Sequence, residues 1–309
     1  MASPFLVSFV AMALAPLPVR APSPAVAPAR AAAAPVRLTV LVDAFGEPSA
    51  LRRDWGFAML VEHDGRRILF DTGNDAEVLA HNAAALGVDL TRLDAVVISH
   101  RHGDHTDGLR HIRAVHPSVR VFAPADEAFG GETPPFLYRR PVPDLPAEQR
   151  YFGGTPPAKV PHGSAWRGLN LELVPATREL FPGVRLVVSA AAGREAPAGA
   201  DLPELALALD TPEGQVLLVG CAHPGLPALL AAAEAPGRGV ALLAGGFHWA
   251  PVPDAAIASL AAELPTRWRV MAVAPGHCTS EPGFAALRRV YGARYRFAGL
   301  GTRLMLGPS

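Results

Sequence analysis

The sequence predicts a layered α/β sandwich, with β-sheets inside and helices outside. Strand-like apolar runs alternate with segments of helical periodicity from Val36 onward. This alternation occurs in two successive halves, separated by a stretch rich in Pro, Gly and aromatic residues at 125–168. Half of the 309 residues are hydrophobic, which is enough for a sizeable core. We therefore expect residues 37–309 to form one domain with a cap-like insertion near 125–168.

The first half begins with "VRLTVLV", which reads as a strand. "FAMLVE" and "RRILFD" flank "HDG", and Asp-Gly between apolar runs favours a hairpin. "DAEVLAHNAAALG" has helical spacing of its apolar residues, with Gly87 as the stop. "LDAVVIS" is continuously apolar, as is typical of a strand buried on both faces. A helix in "DGLRHIRAVH" and a strand in "VRVFA" complete this half.

The second half repeats the pattern. Strands are predicted in "LNLELVP", "VRLVVSA", "ELALALD", "QVLLVG", "GVALLAG" and "WRVMAVA". "TPEG" joins "ELALALD" to "QVLLVG" as a turn. "GLPALLAAAEA", "DAAIASLAAEL" and "PGFAALRRVYG" have helical patterns, so we expect these helices to cover the outer face of a sheet.

The first 36 residues differ from the rest of the chain. Phe5–Leu17 is apolar but too short for a comfortable membrane span, and it is similar to the core of a signal peptide. No Lys or Arg precedes it, and an Ala/Pro-rich linker follows. We expect an exported or periplasmic protein, with a disordered tail on a cytoplasmic protein as the alternative. No other stretch is long and apolar enough to predict stable membrane insertion.

Charge and cysteine content exclude several classes of protein. Lys and Arg total 28, as do Asp and Glu, so the formal net charge is zero. Nucleic acids and anionic membranes usually require a basic surface, so a small molecule is the expected partner. Cys221 and Cys278 are too few for a disulfide scaffold. We expect two buried thiols beside a functional site, with a single disulfide as the alternative in an exported protein.

The segment "SHRHGDHTDGL" crowds polar side chains directly after a predicted strand. His100 and His102 lie on one side of an extended chain, because side chains alternate with a period of two. Asp104 and His105 begin the next element and can face the same space. Neutral imidazole and carboxylate are zinc-type ligands, and two ligand pairs indicate two ions. The alternative is a turn with hydrogen-bonded histidines.

Several motifs resemble the metallo-β-lactamase superfamily, from about Leu38 to the C-terminus. "SHRHGDHTDGL" resembles its H-x-H-x-D-H signature, and "ILFDTG" resembles its strand ending in Asp-x-Gly. "LVGCAHPG", "GGFHW" and "APGHCTS" resemble one branch, the dihydropterin ribofuranosyl-aminobenzene phosphate synthase-like proteins. The resemblance implies an αββα four-layer sandwich, with two mixed sheets inside, helices outside and the metal site between the sheets at one edge.

The resemblance also implies a set of ligands for one or two metal ions: His100, His102, Asp104, His105, His223 and His277. The superfamily more often has an aspartate near His223 to bridge the ions, so the bridging ligand stays open. Cys221 is the alternative to His223 as a ligand. His248 is a candidate metal ligand, proton donor or phosphate contact, and we expect it to act in catalysis with Asp104. A plain buried histidine is the alternative reading of His248.

Three further predictions concern residues around the metal. Asp71 should accept a hydrogen bond from a metal-bound histidine, since such histidines usually donate their other N–H to a carboxylate. A local turn cap is the alternative for Asp71. Tyr138, Arg139 and Arg140 in the insertion are predicted to contact an anionic substrate, because guanidinium matches phosphate geometry. Solvated surface arginines are the alternative.

These features predict a metal-dependent hydrolase with zinc as its cofactor and manganese or iron as alternatives. A zinc-type ion lowers the pKa of bound water to about 7, so no Ser or Cys nucleophile is needed. The expected substrates are an ester, a phosphoester or a lactone. A synthase-like transferase acting on a phosphorylated pterin precursor is the second hypothesis, and a non-catalytic metal-binding sensor domain is the third.

Overall fold

The computed structural model describes residues 35–125, 138, 142–157, 168–189, 202–234, 237 and 239–307. All of them belong to one compact unit, Ala32–Ser309. The signal-like segment lies outside the described residues, as does most of the 125–168 insertion. Within the described residues, two mixed sheets pack between helices, which confirms the predicted αββα sandwich.

The first sheet has seven strands, in the order β13-β1-β2-β3-β4-β5-β6. They are β1 (Val36–Val42), β2 (Ala58–His63), β3 (Arg66–Phe70), β4 (Ala95–Val97), β5 (Arg120–Pro124), β6 (Asn170–Val174) and β13 (Arg303–Leu306). β2 and β3 form the predicted hairpin, and its turn residues Asp64 and Gly65 both have positive φ. β3 to β6 run parallel, so their carboxyl ends meet at one edge. The sequence did not predict β13, a short strand that pairs with β1.

The second sheet has six strands, in the order β12-β11-β10-β9-β8-β7. They are β7 (Arg178–Phe181), β8 (Val184–Ser189), β9 (Glu204–Thr211), β10 (Gly214–Val219), β11 (Val240–Gly246) and β12 (Val273–Gly276). β10, β11 and β12 are parallel and end at the same edge. β7 was not predicted, because its four residues are mostly exposed and carry no apolar run.

The described α-helices lie outside the two sheets. They are α1 (Ala76–Ala85), α2 (Gly103–Thr106), α3 (Leu109–Val115), α4 (Leu226–Ala232), α5 (Asp254–Thr266) and α6 (Glu281–Tyr291). Asp75 caps α1 by accepting hydrogen bonds from the backbone N–H groups of Glu77 and Val78. The metal motif forms its own short helix, α2, before α3 begins. No described helix has the length and apolarity needed to cross a membrane.

Three hydrophobic clusters fill the three spaces between the four layers. One lies between the sheets and contains Ala95, Val97 and Leu207. A second joins the first sheet to α1 and α3, and includes Val96. A third joins the second sheet to α4, α5 and α6. The alternate residues of β4 therefore enter different clusters, as its continuous apolar sequence predicted.

Candidate metal centre

The predicted ligands converge where the parallel strands of both sheets end. His100 follows β4, while His277 follows β12. The two sheets are tied together here by a backbone hydrogen bond from the Leu205 N–H to the Ser99 carbonyl, at 2.7 Å. Sites at the carboxyl ends of parallel strands are common, because loops there bring side chains from several strands together.

One group of ligand atoms comes from three histidines. His100 Nε2 lies 3.1 Å from His102 Nδ1. The ring of His223 lies 4.7 Å from each of these two rings. The Nε2 atom of His223 is buried without a hydrogen-bond partner among the described residues. Burial lowers the pKa of His100 and His223 well below the usual value, and neighbouring imidazoles lower it further. These two rings are therefore neutral, as metal binding requires.

A second group combines one carboxylate with two imidazoles. His105 Nε2 lies 3.1 Å from His277 Nε2. The Asp104 Oδ2 atom lies 3.8 Å from His105 Nε2 and 3.4 Å from His277 Nε2. All three side chains are buried. Burial lowers the pKa of His105, but Asp71 and Asp104 raise it to about 9. A cation bound here would take the place of the proton on His105.

The two groups adjoin each other. The rings of His100 and His105 have their centroids 4.2 Å apart. Cys221 lies beside both, with its Sγ atom 3.2 Å from His105 Nε2. The ligand atoms of His100, His105 and Cys221 all lie within 4.8 Å of one another. Cys221 therefore lies next to one member of each group.

Asp71 sets the orientation of the ligands on the first sheet. Its Oδ2 atom accepts a hydrogen bond from His105 Nδ1 at 2.7 Å and from the Ser99 hydroxyl at 2.7 Å. Since that hydroxyl has given its only hydrogen to Asp71, it accepts from His100 Nδ1, at 2.9 Å. The Nε2 lone pair of His100 must then face the centre of the site. Asp71 thus contacts His105, one of the predicted ligands, while its role toward a metal-bound histidine stays a prediction.

Two buried carboxylates that the sequence analysis missed hold the ligand loops of the second sheet. Glu204 accepts from the backbone N–H groups of Cys221, Ala222 and His223, at 2.9, 2.8 and 2.8 Å. Burial raises the pKa of Glu204 to about 7, although these three donors lower it. Asp43 likewise accepts from the backbone N–H of His277, at 3.0 Å. The available signal was an acid directly beside an apolar run: Glu204 begins "ELALALD", and Asp43 ends "LTVLVD".

An aromatic wall closes one side of the second group. The Trp55 indole N–H donates to Asp104 Oδ2 at 2.9 Å, and the ring centroid lies 5.1 Å from that of His277. Tyr138 and Tyr151 pack on Trp55, each with centroids 5.1 Å away. Tyr138 is 2% exposed, so it belongs to this wall. Its predicted contact with substrate stays a prediction, and Arg139 and Arg140 lie outside the described residues.

His248 and the two cysteines form a further cluster on the second sheet. The ligand-type atoms of Cys221, His248 and Cys278 lie within 4.8 Å of one another. The ring of His248 lies 4.2 Å from that of His223. Burial lowers the pKa of His248, but its hydrogen bond to Cys278 raises it above the usual value. Both cysteines are free and buried beside the site, and the alternative disulfide is not formed.

Comparison with known proteins agrees with this geometry. Residues 66–134, which contain the whole H-x-H-x-D-H motif, match the beta-lactamase superfamily domain. Over 255 residues, the chain is 27% identical to the 7,8-dihydropterin-6-methyl-4-(beta-D-ribofuranosyl)-aminobenzene-5'-phosphate synthase of Methanocaldococcus jannaschii. That match covers 78% of this chain and 85% of the synthase.

Two further matches involve hydrolases. Over 69 residues, the chain is 38% identical to hydroxyacylglutathione hydrolase from Stenotrophomonas maltophilia, which covers 22% of this chain and 25% of that enzyme. The crystal structure of Tm1679, a metal-dependent hydrolase of the beta-lactamase superfamily, aligns with a TM-score of 0.68 and 25% identity. This alignment covers 88% of this chain and 100% of the other. In its fold and in its H-x-H-x-D-H segment, the chain is therefore similar to proteins of the metallo-β-lactamase superfamily.

Proposed function

We propose that this protein is a metal-dependent hydrolase that binds two ions and cleaves an ester, a phosphoester or a lactone. One observation carries the proposal: two adjacent groups of three candidate ligand side chains each bring their ligand atoms within 4.8 Å of one another. One group holds three imidazoles, and the other holds two imidazoles and a carboxylate. Imidazoles held this closely are poorly satisfied unless cations lie between them, and among the described residues the buried nitrogens His223 Nε2 and His277 Nδ1 have no hydrogen-bond partner.

The donor set fits zinc, because imidazole and carboxylate are its usual ligands. Manganese and iron are the alternatives. The same donors bind these metals too, but with lower affinity than zinc. When bound, such ions supply a nucleophile at neutral pH by acidifying water, and they polarise a carbonyl or phosphoryl oxygen. The two separate groups favour two ions over one.

The chain's own residues then have distinct tasks. His100 and His105 are held in one orientation by Asp71 and Ser99, which would leave their Nε2 atoms available to hold a metal ion. Asp104 is fixed by the Trp55 indole, so its carboxylate orients the attacking water. His248 lies on the opposite sheet beside His223, and we assign it the role of donating a proton to the leaving group. The aromatic wall around Trp55 excludes bulk water from the second group.

The comparisons support a hydrolytic reaction, but they do not identify the substrate. The name of the hydroxyacylglutathione hydrolase denotes hydrolysis, and Tm1679 is described as a metal-dependent hydrolase. Fold and motifs are shared among many reactions, so the substrate class rests on the ligand geometry alone. A second candidate is a synthase-like transferase, because the match to the M. jannaschii synthase extends over 78% of this chain.

The test is metal analysis of the purified protein, followed by a screen of phosphomonoester, phosphodiester, lactone and thioester substrates with and without a chelator. We expect zinc to copurify and the chelator to abolish turnover. His102→Ala should remove activity while the circular dichroism spectrum is kept. His81→Ala is the matched control, because His81 bonds to the Ala50 carbonyl and belongs to neither group of candidate ligands. The hydrolase is refuted if zinc-reconstituted protein binds no metal, whereas full turnover in His102→Ala would refute the assignment of His102 as a ligand.

The transferase makes a different prediction for the same protein. It would join two organic substrates, whereas a hydrolase needs one organic substrate and water. Turnover that begins only when a second organic substrate is added would favour the transferase. Turnover of a single ester or lactone in buffer would favour the hydrolase.

A further inference from the structure

We infer that Cys221 is a thiolate ligand that bridges the two ion positions and makes the site selective for thiophilic metals such as zinc. The inference rests on the metal use proposed above, and it concerns the ligand that the sequence left open. It adds a seventh ligand to the six predicted ones and assigns it to a place between the two groups.

The position of the sulfur supports a bridge. Cys221 Sγ lies 3.2 Å from His105 Nε2, which belongs to the second group. It also falls within 4.8 Å of the ligand atom of His100, which belongs to the first group. A sulfur this near to one member of each group lies between the two groups, where it could bind to both ions.

The backbone holds Cys221 in this place. The residue follows β10, and its N–H donates to Glu204 at 2.9 Å. The next residue, Ala222, has a φ of 60°, a left-handed conformation that an L-residue adopts only when the surroundings require it. The N–H groups of residues 222 and 223 donate to the same carboxylate. The loop is therefore built to direct two side chains, Cys221 and His223, toward the site.

Charge also favours a thiolate at this point. Two divalent ions carry four positive charges between them, whereas the two groups contain one carboxylate, that of Asp104. A buried site needs more compensation than this, because uncompensated charge is costly in a low dielectric. Cys221 is 3% exposed, so its sulfur is shielded from water. On metal binding, its S–H proton passes to the buffer and the thiolate supplies a second negative charge.

Cys278 provides the natural comparison, because it is the other cysteine of the chain. Its sulfur groups with Cys221 and His248, and not with His100 or His105. The thiol also donates to the Cys221 carbonyl, at 3.8 Å. We therefore expect Cys278 to stabilise the loop that carries Cys221 without coordinating either ion.

The consequence is metal selectivity. Thiolate is a soft ligand that favours zinc and similar metals, while carboxylate, carbonyl and water suit magnesium and manganese. A bridging carboxylate in the same place would make the site more permissive. Cys221→Asp should therefore lower the ratio of zinc to manganese retained when both are offered in equal amounts.

The decisive experiment replaces zinc with cobalt(II) in the full-length, reduced protein and records the near-ultraviolet spectrum. A cobalt–thiolate bond gives an intense sulfur-to-metal charge-transfer band, which imidazole and carboxylate ligands do not give. We expect this band in the wild type and in Cys278→Ser, and its loss in Cys221→Ser. Because the thiolate bridges, the band should keep changing from the first to the second equivalent of cobalt. Cys221→Ser should also weaken zinc binding by at least about 10-fold.

The outcomes separate this inference from the proposed function. If the wild type binds cobalt and turns over substrate without a thiolate band, Cys221 is not a ligand and the hydrolase stands. If the band survives in Cys221→Ser but is lost in Cys278→Ser, the assignment is reversed and the inference is wrong. A band complete at one equivalent refutes the bridge. If Cys221→Ser does not fold, Cys278→Ser still decides, because Cys221 is then the one remaining thiol.

Discussion

Glu204 offers the sharpest test of how the second sheet supports the metal site. Its Oε1 atom accepts from the backbone N–H groups of Cys221 and Ala222, and its Oε2 atom accepts from that of His223. In Glu204→Gln, the amide keeps one oxygen acceptor and loses the other. At least one buried N–H group is then unsatisfied, and the new NH₂ group faces it.

The magnitude follows from this count of hydrogen bonds. One unsatisfied buried donor costs about 1–3 kcal/mol. The loop can avoid the cost by moving, which displaces the ligands at both of its ends. Loss of such an outer support typically weakens metal binding by about 10–100-fold, which corresponds to roughly 1.4–2.8 kcal/mol. The two estimates agree, so we expect a zinc dissociation constant raised within that range.

The assay is a zinc titration against a chromophoric chelator, with thermal unfolding of the metal-free protein measured in parallel. Glu281→Gln is the matched control, because Glu281 is also buried and accepts from a backbone N–H, that of Val142. It should cost stability without changing zinc affinity. Burial raises the pKa of Glu204 to about 7, so the wild type itself loses an acceptor as the pH falls through that value. The difference in zinc affinity between the wild type and Glu204→Gln should therefore become smaller below about pH 7. Equal zinc affinities at pH 8, in two folded proteins, would refute the reasoning.

Three further changes have predictable effects. Gly220→Ala should lower the melting temperature, because the added Cβ would overlap the Ser99 side chain. Overpacking of this kind costs about 1–3 kcal/mol. An unchanged melting temperature would contradict the close approach of Gly220 to Ser99. Trp55→Phe removes the donor to Asp104 and should weaken metal binding by about 10-fold, as measured by the same zinc titration; unaltered affinity would mean that the indole only fills space. Burial raises the pKa of Asp54 from 3.8 to about 7, so the folded state keeps a proton that the unfolded state releases. The free energy of unfolding should therefore fall as the pH rises from 3.8 to about 7. In urea unfolding at pH 8, Asp54→Asn should therefore be more stable than the wild type, by up to about 4 kcal/mol. A gain of equal size at pH 4 would show that the ionised Asp54 carboxylate does not cause the difference in stability.

Some features of the fold could be predicted because their signals are local. The hairpin of β2 and β3 is encoded by Asp64-Gly65 between apolar runs. The double burial of β4 follows from its continuous apolar sequence. β7 and β13 were missed, because both are short, partly exposed strands with no strong alternation of their own. Their conformation comes from pairing with β8 and β1, which no local pattern records.

The candidate site divides in the same way. Four potential ligands lie within His100–His105, so the motif could be recognised from residue type and spacing. The supports of the second sheet could not be recognised in this way. Asp43 accepts from the backbone of His277, which lies 234 positions away. A buried carboxylate of this kind looks like any acid beside a strand until its backbone donors are known.

By itself, the sequence determined the layered α/β class and the ligand types, because periodicity and the chemistry of imidazole and carboxylate are local properties. Only the tertiary structure decided which candidate ligands lie together, because that depends on chain segments far apart in sequence. His105 and His277 are 172 positions apart, yet their Nε2 atoms lie 3.1 Å from each other. The same long-range packing places Cys221 against both groups. Two sheets must pack face to face before their strand ends can form one site.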